Sequence, residues 1–326
     1  MSRFQSGQPG AGDGLTAILG AGALGQLWAG YLALAPAGNT AARSRVGFVE
    51  RPGTNPASLC YQLQTPQGQA SEVSVSFLDP ATDRPSLLLV TTKATDVLSA
   101  LKATLPSLPE AVPLVLFQNG MGSQQAVAAQ WPDRPVLAAS TTEGANRPEP
   151  GLTVHAGRGQ TWIGAMTPAA EPLLSQIVTL LGNTGLAVMP EPDIRARLWQ
   201  KLIINAGINA FTALLDCPNG GILTAPFYLQ WIDGVCKELH QVMIAEGLQS
   251  PGAGELRQKI EAVARSTATN TSSMRADVLR GRTTEIDYIN GYVADRGKAL
   301  NIATPVNQML RQQVQQLSVT PGPSAT

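Results

Sequence analysis

Charge is scarce in this chain of 326 residues: Asp, Glu, Lys and Arg together make up 14%, against about a quarter in ordinary globular domains. The 23 basic and 23 acidic residues cancel to a formal net charge of zero. That removes the electrostatic footprint of a nucleic-acid binder or an anionic-membrane binder. The three cysteines, Cys60, Cys217 and Cys236, are widely spaced and form no CxxC pair. This argues against a disulfide framework or a zinc site and fits a reducing compartment. With only His155 and His240, three-histidine metal sites and HExxH are excluded, and no GxSxG elbow is present. No apolar run approaches the roughly 20 residues of a membrane span. Residues 1–14 are polar and Gly-rich without a signal-like stretch. They read as a flexible lead to a soluble, cytoplasmic protein.

What the chain does hold is 44% apolar residues, enough for sizeable cores, over a length about twice the ~150 residues usual per domain. Short apolar runs at Leu15–Leu19, Val46–Val49, Leu87–Val90, Leu114–Phe117 and Val136–Ala139 alternate with helical stretches at Ala23–Leu34, Thr95–Leu105 and Gln124–Gln130. Such alternation predicts a largely parallel sheet with helices on its faces. Val73–Leu78, Leu152–His155, Thr161–Gly164 and Leu186–Met189 are further strand candidates, and Glu171–Leu181 a further helix. After about Asp193 the pattern turns helical, over Arg195–Leu215, Pro226–Gly247, Glu255–Ala268, Ser272–Arg280 and Thr284–Leu300. The reading is α/β: a Rossmann-like domain over 15–190, an all-helical domain over 191–319, and a fraying tail at 320–326.

Gly20-Ala21-Gly22-Ala23-Leu24-Gly25 is GxGxxG, directly after the first strand and opening a helix. Gly20 permits a tight turn, Gly22 lets a pyrophosphate approach the backbone, and Gly25 allows close helix–sheet packing. The second strand ends in Glu50-Arg51. A carboxylate there would accept from the ribose hydroxyls of NAD, whereas a guanidinium would hold the 2′-phosphate of NADP. Both are present side by side, and alternation does not decide which faces the ribose.

In the helical half, Lys201, Asn205 and Asn209 recur every four residues through an otherwise apolar stretch, which sets them on one helix face. Polar groups on such a face either meet partners in a core or line a cavity that receives a polar ligand. A Cys217–Gly220 turn follows. Farther on, Ser272 or Ser273 would cap one helix and Thr284 the next.

Taken together, GAGALGQLW at Gly20–Trp28, NGMG at Asn119–Gly122, RLWQKLIINAGINAFTALLDCPNG at Arg197–Gly220, NTSSM at Asn270–Met274 and TEIDYING at Thr284–Gly291 resemble the ketopantoate reductases (2-dehydropantoate 2-reductases). The resemblance runs from about Leu15 to Leu310. It implies NADPH as cofactor, held by Gly20 to Gly25, by Arg51 at the 2′-phosphate, and by Lys93, Asn119 and Ala145. It further implies Lys201 as proton donor and Asn205, Asn209, Asn219, Ser273 and Asn119 around the 2-oxo acid, with Glu285 organising the pocket. Two features depart from the pattern: the stretch between Tyr31 and Arg45 is longer, and Glu50 places an anion where it would repel a phosphate.

Reduction of a 2-oxo acid needs a hydride and a proton for the carbonyl oxygen. A lysine buried against an apolar helix is pushed toward its neutral form, and a nearby carboxylate pulls it back. The expected activity is reduction of 2-dehydropantoate to (R)-pantoate by a monomer or homodimer. Reduction of another branched 2-oxo acid and a catalytically silent nucleotide sensor are the alternatives.

Overall fold

The computed structural model describes residues 14–35, 45–49 and 57–319. The lead, the tail, most of the long stretch after Tyr31, and the Glu50-Arg51 pair lie outside them. The chain divides into two compact units. One comprises residues up to Thr92, Asp96–Gln118 and Gln124–Ile194; the other comprises Lys93–Thr95, Asn119–Ser123 and the chain from Arg195 onward.

The first unit is built on β1 (Thr16–Leu19), β2 (Val46–Val49), β3 (Ser58–Gln64), β4 (Ala70–Leu78), β5 (Leu87–Val90), β6 (Leu114–Leu116), β7 (Val136–Thr141), β8 (Gly144–Asn146), β9 (Leu152–Gly157), β10 (Thr161–Ala165) and β11 (Val188–Pro190). These form one sheet in the order β11-β10-β7-β6-β5-β1-β2-β4-β3-β9-β8. From β7 through β6, β5, β1 and β2 to β4 the pairing is parallel; β3–β4, β8–β9 and β7–β10 are antiparallel. Helices α1 (Ala23–Leu34), α2 (Pro80–Asp83), α3 (Val97–Thr104), α4 (Ser123–Gln130) and α5 (Leu174–Gly182) complete it. The central strands are apolar throughout because helices cover both faces. One core gathers Ile18, Trp28, Leu32, Phe48, Leu89 and Ile177, and the other gathers Ala17, Leu88, Val97, Leu101 and Val127.

Two strands, β3 and β8, were not singled out by the apolar pattern. In β3 Leu59, Tyr61 and Leu63 turn toward the core while Ser58, Cys60 and Gln62 are exposed, so its half-exposed alternation forms no continuous apolar run.

The helical unit holds α6 (Ile194–Leu214), α7 (Pro226–Ala245), α8 (Ala253–Ser266), α9 (Ser273–Leu279), α10 (Asn290–Ala299) and α11 (Pro305–Val319). The helix expected over Thr284–Leu300 is broken. Ile286–Tyr288 is a 3-10 turn, and Ile289 at φ −111°, ψ −94° separates it from α10. Thr284 is buried and caps nothing; Glu285 stands at the cap position instead. Helix α11, absent from the sequence reading, buries Val306, Leu310 and Val314 at four-residue spacing within a polar sequence.

Behind α6 runs a buried polar chain. The Glu238 carboxylate on α7 accepts from the backbone N–H groups of Val306 and Asn307 at 2.8 and 2.9 Å and from Asn307 Nδ2 at 2.7 Å. Asn290 Nδ2 then donates to Asn307 Oδ1 at 3.0 Å and to the Ala206 carbonyl of α6 at 3.2 Å. A carboxylate from α7 thus caps the first turn of α11. Glu238→Ala would leave three buried donors unmet, and unfolding free energy from urea titration should fall by about 3 kcal/mol or more. A loss below ~1 kcal/mol would show that water replaces the carboxylate.

Candidate active site

Helix α6 presents Lys201, Asn205 and Asn209 along one face, as their spacing requires. The opposite side is core: Trp199 and Phe211 are fully buried. At Gly207 the helix lies so close to α8 that a Cβ would stand 2.6 Å from the Ile260 side chain. The polar stripe is therefore held in place by tight packing on its far side.

Lys201 meets two residues far away in sequence. Its Nζ donates to Asn119 Oδ1 at 2.7 Å, and Asn119 Nδ2 donates to Glu285 Oε2 at 3.3 Å. The other oxygen of Glu285 accepts from the backbone N–H of Ala94 at 3.2 Å. The carboxamide thus turns its oxygen to a cation and its nitrogen to an anion. Asn119 owes its position to the turn it opens: Gly120 and Gly122 have φ of +76° and +103°, a region glycine enters without penalty. At Gly120 a Cβ would lie 2.2 Å from the Tyr288 carbonyl oxygen, and that oxygen accepts from Met121 N–H at 2.8 Å. The NGMG spacing is thereby explained by backbone docking onto the 3-10 turn.

Crowding of protein atoms about the Lys201 ammonium draws its pKa down to about 8, against the opposing pull of the Glu285 charge. Burial raises the carboxyl of Glu285, while the Ala94 N–H, the Asn119 amide and the Lys93 charge lower it and Asp277 raises it. Lys93 donates to the Thr283 carbonyl at 2.6 Å and pairs with Asp277 Oδ2 at 2.9 Å. Asp277 escaped the sequence reading because its partner lies 184 positions earlier and no local pattern marks it.

The remaining expected residues fall at the end of α6 and beyond. Ser272, not Ser273, caps α9, accepting from Arg275 N–H at 3.1 Å and lying 2.7 Å from the Thr212 hydroxyl of α6. Ser273, the first residue of α9, is exposed. Asn219 Nδ2 donates to Thr267 Oγ1 at 2.9 Å, while its buried Oδ1 accepts from no protein group. Asn209 is buried and Asn205 is partly exposed.

In the first unit, Gly20 has φ +116°, and a Cβ there would lie 2.8 Å from Thr92 N. A Cβ on Gly25 would lie 2.0 Å from the Gly20 carbonyl oxygen. At Gly22 it would meet nothing within 4 Å. Gly22 is the N-cap of α1, with no side-chain cap and no acidic residue in the first turn. Uncapped N–H groups beside open space suit a phosphate. Ala145 lies on β8.

Family models match both halves of the chain: ketopantoate reductase PanE/ApbA over residues 16–168 and its C-terminal counterpart over 193–318. A 2-dehydropantoate 2-reductase of Vibrio cholerae is 37% identical over 303 residues, covering 92% of this chain and 96% of that protein. Among solved structures, a PanE/ApbA family ketopantoate reductase from Ralstonia eutropha is 28% identical with a TM-score of 0.80, covering 93% of this chain and 98% of that one. A D-mandelate dehydrogenase solved with NADH and anilino(oxo)acetate is 20% identical with a TM-score of 0.81 over 93% of this chain and 98% of its own, a likeness of fold. With the glycine loop, the lysine–amide–carboxylate chain and these matches in agreement, the chain belongs to the ketopantoate reductase family of oxidoreductases.

Proposed function

We propose that the protein catalyses the NADPH-dependent reduction of 2-dehydropantoate to (R)-pantoate, the reductive step of pantothenate synthesis, in the cytoplasm. In this reading residues 15–190 form the dinucleotide-binding domain and 191–319 the substrate domain, in a monomer or homodimer. Gly20 to Gly25, Lys93, Asn119 and Ala145 hold the cofactor, and Arg51 holds its 2′-phosphate. NADPH, when bound, supplies a hydride to the carbonyl carbon. The carbonyl oxygen gains a proton from the Lys201 ammonium, which also stabilises the charge developing there. Asn205, Asn209, Asn219 and Ser273 orient the substrate's carboxylate and hydroxyl without adding charge. Glu285, acting through Asn119, fixes where the ammonium points.

The observation that carries the reading is the Lys201–Asn119–Glu285 chain, because it joins a proton donor of lowered pKa to a fixed orientation. In this reading Asn219 meets the substrate's hydroxyl, its carbonyl oxygen having no protein donor. A substrate hydroxyl would satisfy it, and a substrate without one would leave it unpaired.

Lys201→Ala should lower kcat by a factor of roughly 100 or more, with dinucleotide binding nearly unchanged. The acid is the protonated form, so wild-type reduction at saturating substrate should be full well below pH 8 and fall as pH rises through about 8. Near-normal turnover of a folded Lys201→Ala protein would send the proton's origin elsewhere. Oxidation of NADPH and of NADH should be followed with 2-dehydropantoate, its 4-deoxy analogue and other branched 2-oxo acids. The expected order is 2-dehydropantoate over the deoxy analogue by roughly tenfold in kcat/KM, a margin that Asn219→Ala should erase. Equal rates for both would remove the hydroxyl argument, and a preference for NADH would transfer the ribose contact from Arg51 to Glu50.

A further inference from the structure

The first unit contains a buried set of titratable groups that the reaction does not use. The side chains of His155 on β9 and Glu143, just before β8, are 0% and 1% exposed. His155 Nε2 lies 2.6 Å from Glu143 Oε2, and Nδ1 lies 2.7 Å from the hydroxyl of Tyr31 on α1. The same Glu143 oxygen accepts from Gly159 N–H at 2.9 Å. The proton arrangement that satisfies every atom has Tyr31 donating to Nδ1 and Nε2–H donating to the carboxylate. Gly159 is what admits the carboxylate so deep: a Cβ there would lie 2.3 Å from the Thr142 carbonyl carbon.

Breaking one link of such a set strands a buried charge or donor, so the set fixes its three elements against one another. Those elements are α1, the helix opened by the glycine loop, β9, and the chain entering β8. Beyond β8, Arg147 Nη1 reaches the carbonyl of Ala21, inside that loop, at 3.4 Å. Gln26, on the first turns of α1, donates to the same carbonyl at 3.0 Å and accepts from Thr153 of β9. Arg147 is exposed, and its guanidinium sits beside the positive end of α1, a place favourable to an anion and not to a cation.

We propose that Glu143, His155 and Tyr31 form a positioning relay that fixes β8 and Arg147 over the glycine loop, and so sets the protein's affinity for the dinucleotide's phosphates. The relay acts on binding and not on proton transfer. It rests on the reading of the glycine loop as a dinucleotide site.

The test compares the full-length wild type with Tyr31→Phe, His155→Gln and Arg147→Ala. NADPH binding is measured by fluorescence titration without substrate, and kcat and the NADPH KM are measured with 2-dehydropantoate. Tyr31→Phe keeps the ring and removes one hydrogen bond, and Arg147→Ala alters an exposed side chain, so both should fold even if His155→Gln does not. Dinucleotide Kd and KM should rise about tenfold in Arg147→Ala and several-fold in Tyr31→Phe, the scale of a charged or single hydrogen bond. The kcat at saturation and its fall above pH 8 should stay as in the wild type. Unchanged Kd in folded Tyr31→Phe and Arg147→Ala overturns the relay. So does a loss in kcat with KM unmoved, since that would place these residues in the chemistry. A wild type that binds no dinucleotide would instead overturn the functional reading, which keeps the two failures distinct.

Discussion

The carboxamide of Asn119 separates a cation from an anion that would otherwise pair. Had Lys201 met Glu285 at hydrogen-bond distance, the Coulomb attraction would hold its proton tightly, since such pairs strengthen steeply as they close and as water is excluded. With the amide between them, the carboxylate still pulls the lysine's pKa upward, but burial prevails and the value settles at about 8. The amide dipole meanwhile satisfies both ends, oxygen to ammonium and nitrogen to carboxylate. One side chain therefore fixes the direction of the ammonium and holds it apart from the carboxylate. Everything that fixes Asn119, from the positive-φ glycines to the Tyr288 carbonyl, serves that setting.

The charges around it alternate. Lys201, Glu285, Lys93 and Asp277 form a row of plus, minus, plus and minus, joined by Asn119 at one end and by an ion pair of 2.9 Å at the other. Removing any one member leaves a neighbour uncompensated in a partly desolvated place, which costs more than the lost attraction alone. The same rule governs Glu238, whose three donors come from the first turn of α11 and Asn307.

The parts legible in the sequence are those whose cause is local. The glycine loop was readable because a turn, a close approach and a helix start each demand a particular residue at fixed spacing. The Lys201–Asn209 stripe was readable because four residues is nearly one helical turn. The parts that were not legible depend on what the fold brings together. Nothing near Asn119 indicates that its amide meets Lys201 and Glu285, and nothing near Lys93 points to Asp277. Ser272 and Ser273 are alike in sequence, and only the direction of α9 decides which of them caps it. The break at Ile289 was hidden because Thr284–Leu300 carries a helical pattern that docking of the Asn119 turn on Tyr288 overrides. Family resemblance supplied the roles of Asn119 and Glu285; the geometry supplies the physical reason they belong together.

In the proposed reaction a lysine serves as the acid, although histidine is the commoner acid near neutrality, and both histidines are hydrogen-bonded elsewhere. His155 is held between Glu143 and Tyr31, and His240 Nδ1 lies 2.8 Å from the Pro251 carbonyl and 3.1 Å from Ser250 Oγ. An ordinary lysine would be too weak an acid to give its proton readily. Lowering the pKa from 10.5 to about 8 makes it roughly 300-fold stronger. At pH 7 it still holds its proton in about nine molecules of ten. A further fall would strengthen the acid but empty it, and a smaller one would fill it but leave it weak. The balance of burial against one screened carboxylate sits between these, on the side that would suit delivering a proton in the proposed reduction.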